Sequence, residues 1–491
     1  MNPIAGLRDR LLAAGYRADA VLARLGSAGQ QGLARNTTIA AKRALGADRD
    51  RQATLIRLFC LAAEVPLADA RAALPVAGLV AAGLVQIRGD RVRAEVDIRP
   101  YAFELPGGGQ WDGWVVCDRT PGLDHDLDPV RPDFVLNASP ASTTLAQLTI
   151  PDQVASALDL GTGCGVQSLH LATHAARIVA TDINPRARRL ARMTFELNRL
   201  PVEVRAGSLY EPVAGERFDL IVANPPFVIG PVPDPAGRLL YRDGGLPGDE
   251  LVRRVGQGAG ARLRPGGTAQ LLANWAITAE PVADRLAAWA PAGADLWVIE
   301  RERLDPYAYI ELWLADAGLN HTPEWASRYG AWLDQFDRLG IQAVGMGWIT
   351  VVDAGRVRPE FCYERWTHEV AQPVGAALAN RHRAVGWAGN PDTGLLATNW
   401  LVAPDVVQET LGRPGAADPQ HIVFRQTSGL CRARQVGTEL AGVVGACDGT
   451  MSLATIIDAV ARLLDQEPGQ LRRRLLGDLR ELIVDGYLRP V

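Results

Sequence analysis

The sequence has little cysteine, no excess of positive charge and no long apolar run. Its six cysteines (Cys60, Cys117, Cys164, Cys362, Cys431 and Cys447) are scattered through 491 residues without a Cys-x-x-Cys pair. That pattern argues against a structural metal or a disulfide framework and fits a reducing, cytoplasmic setting. Lys and Arg number 51 against 55 Asp and Glu, a net charge of -4, so no bulk basic field gathers nucleic acid and any RNA contact falls to a local face. No apolar stretch approaches the roughly 20 residues of a membrane span. The N-terminus lacks a basic region followed by an apolar core, so no signal peptide is expected. Neither a fixed-period repeat nor a low-complexity segment is present.

What is there suits a soluble chain of two or three domains: 48% hydrophobic and 22% charged residues over 491 positions. The centre of the sequence is Ala157 to Phe227. An apolar run, Ala157-Leu158-Asp159-Leu160, enters Gly161-Thr162-Gly163-Cys164-Gly165, and a helical pattern begins at Val166. A second apolar run ends in an acid, Ile178-Val179-Ala180-Thr181-Asp182. A third, Asp219 to Ala223, leads into Asn224-Pro225-Pro226-Phe227. Glycines let a backbone turn tightly beside a ligand, and an acid about 20 residues on accepts hydrogen bonds from a ribose diol. NAD and FAD sites use similar turns; the Asn-Pro-Pro-Phe corner narrows the choice.

With these residues, the stretch from about Asn137 to Trp275 resembles the class I S-adenosylmethionine (SAM) methyltransferases. Within them it is similar to the HemK/PrmC-like branch of glutamine N5-methyltransferases and ribosomal RNA guanine-N2 and adenine-N6 enzymes. The resemblance implies an α/β fold, a Rossmann-like doubly wound sheet, with SAM as cofactor. Strands are expected near 156–160, 178–182, 202–205, 218–223, 268–273, 295–300 and 342–352, with helices at 166–175, 185–198, 248–263 and 280–289. The last hairpin, Leu296 to Glu300 against Ala343 to Val352, fits a reversed final strand.

The resemblance also implies roles. Gly161, Thr162, Gly163 and Gly165 form the floor under methionine and ribose. Asp159 reaches the methionine ammonium, directly or through water. Asp182 takes the ribose hydroxyls, with Ile183 and Asn184 beside it. Gly207 and Ser208 lie where relatives often carry an Asp that holds the adenine amino group; Ser departs from that pattern. Ser142, Thr143 and Thr144 either touch the methionine carboxylate or simply cap a helix. At the corner, a planar NH2 group has two protons to place. The Asn224 side-chain oxygen takes one and the Pro225 carbonyl the other; Pro226 stiffens the turn and Phe227 packs on the acceptor. Farther on, Tyr241 to Glu250 is either a loop whose Arg242 or Asp243 meets the substrate or a plain glycine-rich helix start.

Around this core four regions are expected. Residues 1–100 are helical, ending over 51–96 in three helices and a Gly89-Asp90 hairpin that resemble a winged helix; the third helix has no polar side chains for reading bases. Residues 101–136 connect through strands and loops, including Trp111 to Asp118 and an acidic turn, Asp124 to Asp128, more readily a solvated turn than a metal site. Residues 137–358 form the methyltransferase domain, with an aromatic insertion near 304–339 that either packs as core or walls the acceptor pocket. Residues 359–491 form a C-terminal α+β, winged-helix-like domain, helical over Trp366 to Ala388, in which Arg472-Arg473-Arg474 is a solvated helix face.

The function expected is methyl transfer from SAM to a planar nitrogen of a protein glutamine, a nucleobase or a small-molecule amide or amine. The alternatives are a natural-product O- or C-methyltransferase and, in another class, a non-catalytic SAM- or DNA-binding regulator. The partners expected are an unidentified acceptor (protein, small molecule or RNA) and a second copy in a homodimer, with no membrane.

Overall fold

A computed structural model describes residues 6–105, 107–125, 130–232, 239–414 and 419–491. Two compact units divide the chain: residues 1–146 with 153–367, and residues 147–152 with 368–491.

The first unit is built on an eight-stranded sheet. Its strands are β1 (Val154–Leu160), β2 (Ala175–Asp182), β3 (Val202–Ala206), β4 (Phe218–Ala223), β5 (Leu263–Ile277), β6 (Asp295–Leu304), β7 (Ala343–Val352) and β8 (Phe361–Arg365). The spatial order is β8-β6-β7-β5-β4-β1-β2-β3. Strands β5, β4, β1, β2 and β3 are mutually parallel, whereas β7 runs antiparallel to both β5 and β6. The expected reversed strand is present. The eighth strand was not expected: Phe361–Arg365 pairs parallel with β6, beyond residue 358, where the methyltransferase region was expected to end.

The buried run in β1 and the near-continuous burial of β4 mark strands covered on both faces. Helices α1 (Val166–Leu171), α2 (Pro185–Asn198), α3 (Glu250–Gly260) and α4 (Val282–Ala287) supply the cover. The start of α2 is set locally: the Asn184 side chain accepts from the Arg186 N–H at 2.9 Å, and Pro185 occupies the first turn. The chain order reverses on either side of β1. This is the place where open parallel sheets bind ligands, outside the carboxyl ends of their strands.

The insertion folds as two helices, α5 (Pro306–Asp316) and α6 (Trp325–Leu339). Tyr309, Trp332 and Phe336 pack with Ile229 and Val344 into a core of their own. A Cβ on Gly230 would sit 2.7 Å from the Trp332 ring, so these aromatics are chiefly packing.

The N-terminal segment belongs to the same unit. Residues 51–60 form a helical stretch, Leu67–Ala73 and Val76–Ala81 two more helices, and Val85–Arg88 pairs with Arg91–Ala94 through a turn with Gly89 at φ +60°. A two-residue strand at Val65–Pro66, unforeseen because it is so short, pairs with Arg91–Ala94 and completes a three-stranded sheet. The following hairpin, Asp97–Glu104 with Gln110–Cys117, lies against α1 and α2. The Val116 N–H donates to Thr194 Oγ1 (2.9 Å), and the Trp114 N–H to Asn198 Oδ1 (3.0 Å). His170 of α1 accepts or donates at 2.8 Å with the Tyr101 hydroxyl and stacks on Phe103 at 3.7 Å between ring centres. One hydrophobic core runs from Leu7 through this hairpin to Leu197 of α2. Asp124, read as part of a solvated acidic turn, is exposed; it accepts from the Thr38 N–H at 2.7 Å and pairs with Lys42, next to the helix Ile39–Leu45. Asp126 to Asp128 of that turn lie outside the described residues.

In the second unit, Asn399–Val402 is the middle strand between Asp448–Ser452 and Leu488–Pro490. Helices Thr438–Gly445, Leu453–Leu463 and Pro468–Val484 pack with this sheet in one core. The helix expected from Trp366 begins only at Gly375, because Pro373 lacks the N–H a helix interior needs and restricts Gln372 before it. Of the three consecutive arginines, Arg472 pairs with Asp458 and Arg474 with Glu439. Among the described residues, no helix is long and apolar enough to cross a membrane, and no cluster of three His, Cys, Asp or Glu side chains could hold a metal.

Candidate functional site

A cavity of about 210 Å³ opens above the carboxyl ends of β1, β2, β3 and β4. Four expected segments contribute to its wall: the loop after β1 (Gly161, Thr162 and Gly163), the end of β2 (Asp182, Ile183 and Asn184), the turn after β3 (Gly207 and Ser208), and the corner after β4 (Asn224, Pro225 and Pro226). Each follows a different strand, and the sheet brings them together.

The loop after β1 is shaped by hydrogen bonds. The Gly161 and Thr162 N–H groups both donate to the Thr181 carbonyl at 2.9 Å. Gly161 and Gly163 have φ of +77° and +56°, and a Cβ on either would meet nothing within 4 Å. They supply left-handed backbone and open space. Gly165 does something else: it does not line the cavity, and a Cβ there would stand 2.6 Å from the Phe195 ring of α2. It permits close packing of loop and helix.

Asp182 is the only carboxylate in the wall among the described residues. Its Oδ2 accepts from the Gly163 N–H (2.9 Å) and its Oδ1 from the Asn184 N–H (2.8 Å). Burial pushes its pKa up, opposed by these backbone donors. Each oxygen keeps a second lone pair for a ligand. No Lys, Arg or His lines the cavity among the described residues.

The corner carries an unsatisfied group. Asn224 Oδ1 is buried and has no hydrogen-bond partner. A buried acceptor left unpaired costs about 1–3 kcal/mol, which marks a position held for something else to bond. The approach from the other side is tight: a Cβ on Gly244 would lie 3.3 Å from the Pro226 carbonyl oxygen. Ser208 lines the wall, and its hydroxyl has no partner among the described residues.

Other expected residues lie off the wall or are held in other bonds. Asp159 does not line the cavity. It is 1% exposed, and its Oδ2 accepts from Thr162 Oγ1 (2.7 Å), Ser168 Oγ (2.6 Å) and the Ser168 N–H (3.1 Å). Desolvation raises its pKa to about 6; it fastens the loop to α1 from beneath. Thr143 and Thr144 also miss the wall, whereas Ser142 is in it. Successive helical residues are turned by about 100°, so only one of the three faces inward. Thr143 Oγ1 bonds the Ser139 carbonyl at 3.3 Å instead. Asn184 borders the cavity, but its side chain caps α2 and donates to the Asp133 carbonyl at 2.9 Å. Phe227 is not in the wall and meets Trp313 of α5 edge-to-face at 6.1 Å. Arg242 and Asp243 are engaged with each other, and Arg242 donates to the Trp313 carbonyl (3.1 Å).

Other wall residues were not foreseen. Phe134, Val135, Leu136 and Asn137 form one side, and Tyr241 packs edge-on against Phe134 at 5.7 Å. Burial raises the Tyr241 pKa to about 12. Cys164 and Gln167 complete the base. The glycine-rich stretch pointed toward Tyr241, but nothing in the sequence distinguished Phe134 or Gln167 from ordinary core.

Much of the cavity wall lies in a segment that matches known proteins. Residues 139–288 match a family described as the methyltransferase small domain, and residues 13–95 a domain of unknown function (DUF7059). The release factor glutamine methyltransferase of Xylella fastidiosa (strain Temecula1) is 36% identical over 129 residues, covering 24% of this chain and 46% of its own length. The ribosomal RNA small subunit methyltransferase C of Erwinia tasmaniensis is 31% identical over 126 residues, covering 25% of this chain and 32% of its own. The chain thus spans less than half the length of these relatives. A solved T. thermophilus 16S rRNA N2 G1207 methyltransferase, in complex with AdoMet and guanosine, overlaps 43% of this chain and 55% of its own at 20% identity and a TM-score of 0.25. Residues 139–288, which supply most of the strand ends around the cavity, are thus similar to the methyltransferase small-domain family.

Proposed function

We propose that this chain transfers a methyl group from S-adenosylmethionine to a planar nitrogen: that of a protein glutamine, a nucleobase or a small-molecule amide or amine. The observation that carries this is the unpartnered Asn224 Oδ1 beside two prolines, in the same cavity as Asp182 and the glycine loop. The names of the relatives, a glutamine methyltransferase and a ribosomal RNA methyltransferase, support an acceptor of this kind.

The cavity suits the donor. Its open glycines leave room for a ligand against the backbone, and Asp182 offers acceptor lone pairs to a ribose diol. When bound, S-adenosylmethionine supplies an electrophilic methyl on a sulfonium. The protein's part is to position the acceptor and keep water away. Asn224 Oδ1 accepts one N–H of the acceptor and the Pro225 carbonyl the other, which fixes the plane of the nitrogen. Pro225 and Pro226 have no N–H of their own to compete. Both oxygens favour the positive charge that develops on nitrogen. The proton leaves afterwards, so no strong general base is needed.

The test uses labelled S-adenosylmethionine with cell extract split into protein, RNA and small-molecule fractions. Label should enter one fraction with the native chain and none with Asn224→Ala, which should still bind the donor in calorimetry. Full activity of Asn224→Ala would remove the planar-nitrogen assignment. Tight donor binding with no label in any fraction would favour a non-catalytic role.

A further inference from the structure

We infer that Gln167 reads the ammonium group of the cofactor, the role the sequence pattern assigned to Asp159. This rests on the S-adenosylmethionine reading and goes beyond it.

Gln167 lies in the first turn of α1, is 5% exposed, and lines the cavity. Its Nε2 donates to the Ser142 carbonyl at 2.7 Å. A carbonyl only accepts, so this bond fixes which end of the carboxamide is nitrogen. The other end, Oε1, is therefore an acceptor. No donor among the described residues reaches it, yet it is not among the buried orphan atoms. The accessible fraction of this nearly buried side chain is thus an acceptor oxygen presented to the cavity.

The sheet order says which part of a ligand passes there. Along the strand ends run Ser208 after β3, Asp182 after β2, the glycine loop after β1 and Asn224 after β4. With the ribose at Asp182 and the methyl at Asn224, the amino-acid tail lies by the β1 loop, which leads directly into Gln167. That tail ends in an ammonium, which only donates, and a carboxylate, which only accepts. A lone acceptor oxygen selects the ammonium. The nearby carboxylate is off the wall. Asp159 lies under the loop with its Oδ2 on three donors, and Asn137 Oδ1 takes the Ala138 N–H at 2.7 Å. The same Gln167 side chain pins the Ser142 turn that forms part of the wall, so it both shapes the cavity and reads the ligand.

The experiment compares two probes by calorimetry on the full chain. One is S-adenosylhomocysteine; the other is 5′-(3-carboxypropylthio)-5′-deoxyadenosine, which lacks only the amino group. A hydrogen bond to a charged group predicts that the native protein prefers the first roughly tenfold to a hundredfold. In Gln167→Leu the ratio should fall to about threefold or less, beyond any loss that both probes share with the Ser142 bond. Gln167→Glu loses the Ser142 bond but keeps an acceptor, and should retain the preference. Equal weakening of both probes in Gln167→Leu, or loss of the preference in Gln167→Glu, would reduce Gln167 to a prop for the wall and overturn the assignment. An undiminished ratio in Gln167→Leu would do the same. A native chain that binds neither probe would instead overturn the cofactor reading, and the assignment with it.

Discussion

Replacing Asp182 by Asn separates two duties that one carboxylate performs. In the native chain its oxygens accept from the Gly163 and Asn184 N–H groups at 2.9 and 2.8 Å. Asparagine retains one oxygen and turns an NH2 group toward the other N–H. One backbone donor loses its partner, at a cost of about 1–3 kcal/mol to the fold. Hydrogen bonds from ribose hydroxyls to a charged acceptor contribute about 1.5–3 kcal/mol each. Removing the charge and half the acceptor capacity should therefore weaken S-adenosylhomocysteine binding by about 2–3 kcal/mol, roughly 30- to 150-fold. Calorimetry reads the affinity, and a thermal melt of the unliganded variant reads the fold. A variant that melts early but binds within threefold of native would show that Asp182 only braces the loop. That result would refute the ribose assignment.

Two further predictions concern the fold around the cavity. Gly165→Ala places a methyl 2.6 Å from the Phe195 ring on a backbone at φ +89°, so steric crowding and left-handed strain together should cost about 2–5 kcal/mol; a melt unchanged within 2 °C would contradict that packing. His170 is held neutral by burial, which lowers its pKa to about 4 against about 6.5 unfolded. Its contribution is therefore complete above pH 6.5 and is lost as pH falls toward 4, by about 2 kcal/mol between pH 7 and 5. Denaturant titrations at those two pH values should show the loss in the native chain and a smaller one in His170→Phe.

The strand ends were legible because chemistry and backbone restriction coincide there. Gly161 and Gly163 need positive φ, Asp182 ends a buried strand, and Pro225-Pro226 admits few backbone paths. Side-chain direction was harder to read. Thr143 and Ser142 are adjacent hydroxyls, and only the phase of the helix decides which one faces the ligand. Asp159 and Asp182 both sit at or near strand ends, but Ser168 and Thr162 draw one of them beneath the loop. Phe134 and Tyr241 are about a hundred residues apart in sequence and meet only across the cavity. Gln167 looks like any polar residue in the first turn of a helix until the Ser142 carbonyl fixes its orientation. The Phe361–Arg365 strand escaped notice because its position depends on the free edge of β6, which no local pattern records.

The hairpin of residues 97–117 has a wider consequence. Its second strand satisfies backbone groups with the side chains of Thr194 and Asn198, and its aromatics lie on His170. Cutting the chain at residue 136, just ahead of the recognisable family segment, would strip α1 and α2 of their cover and leave those side chains facing water. The borders of sequence kinship fall inside a single folding unit, so the matched segment should not survive excision as an independent domain.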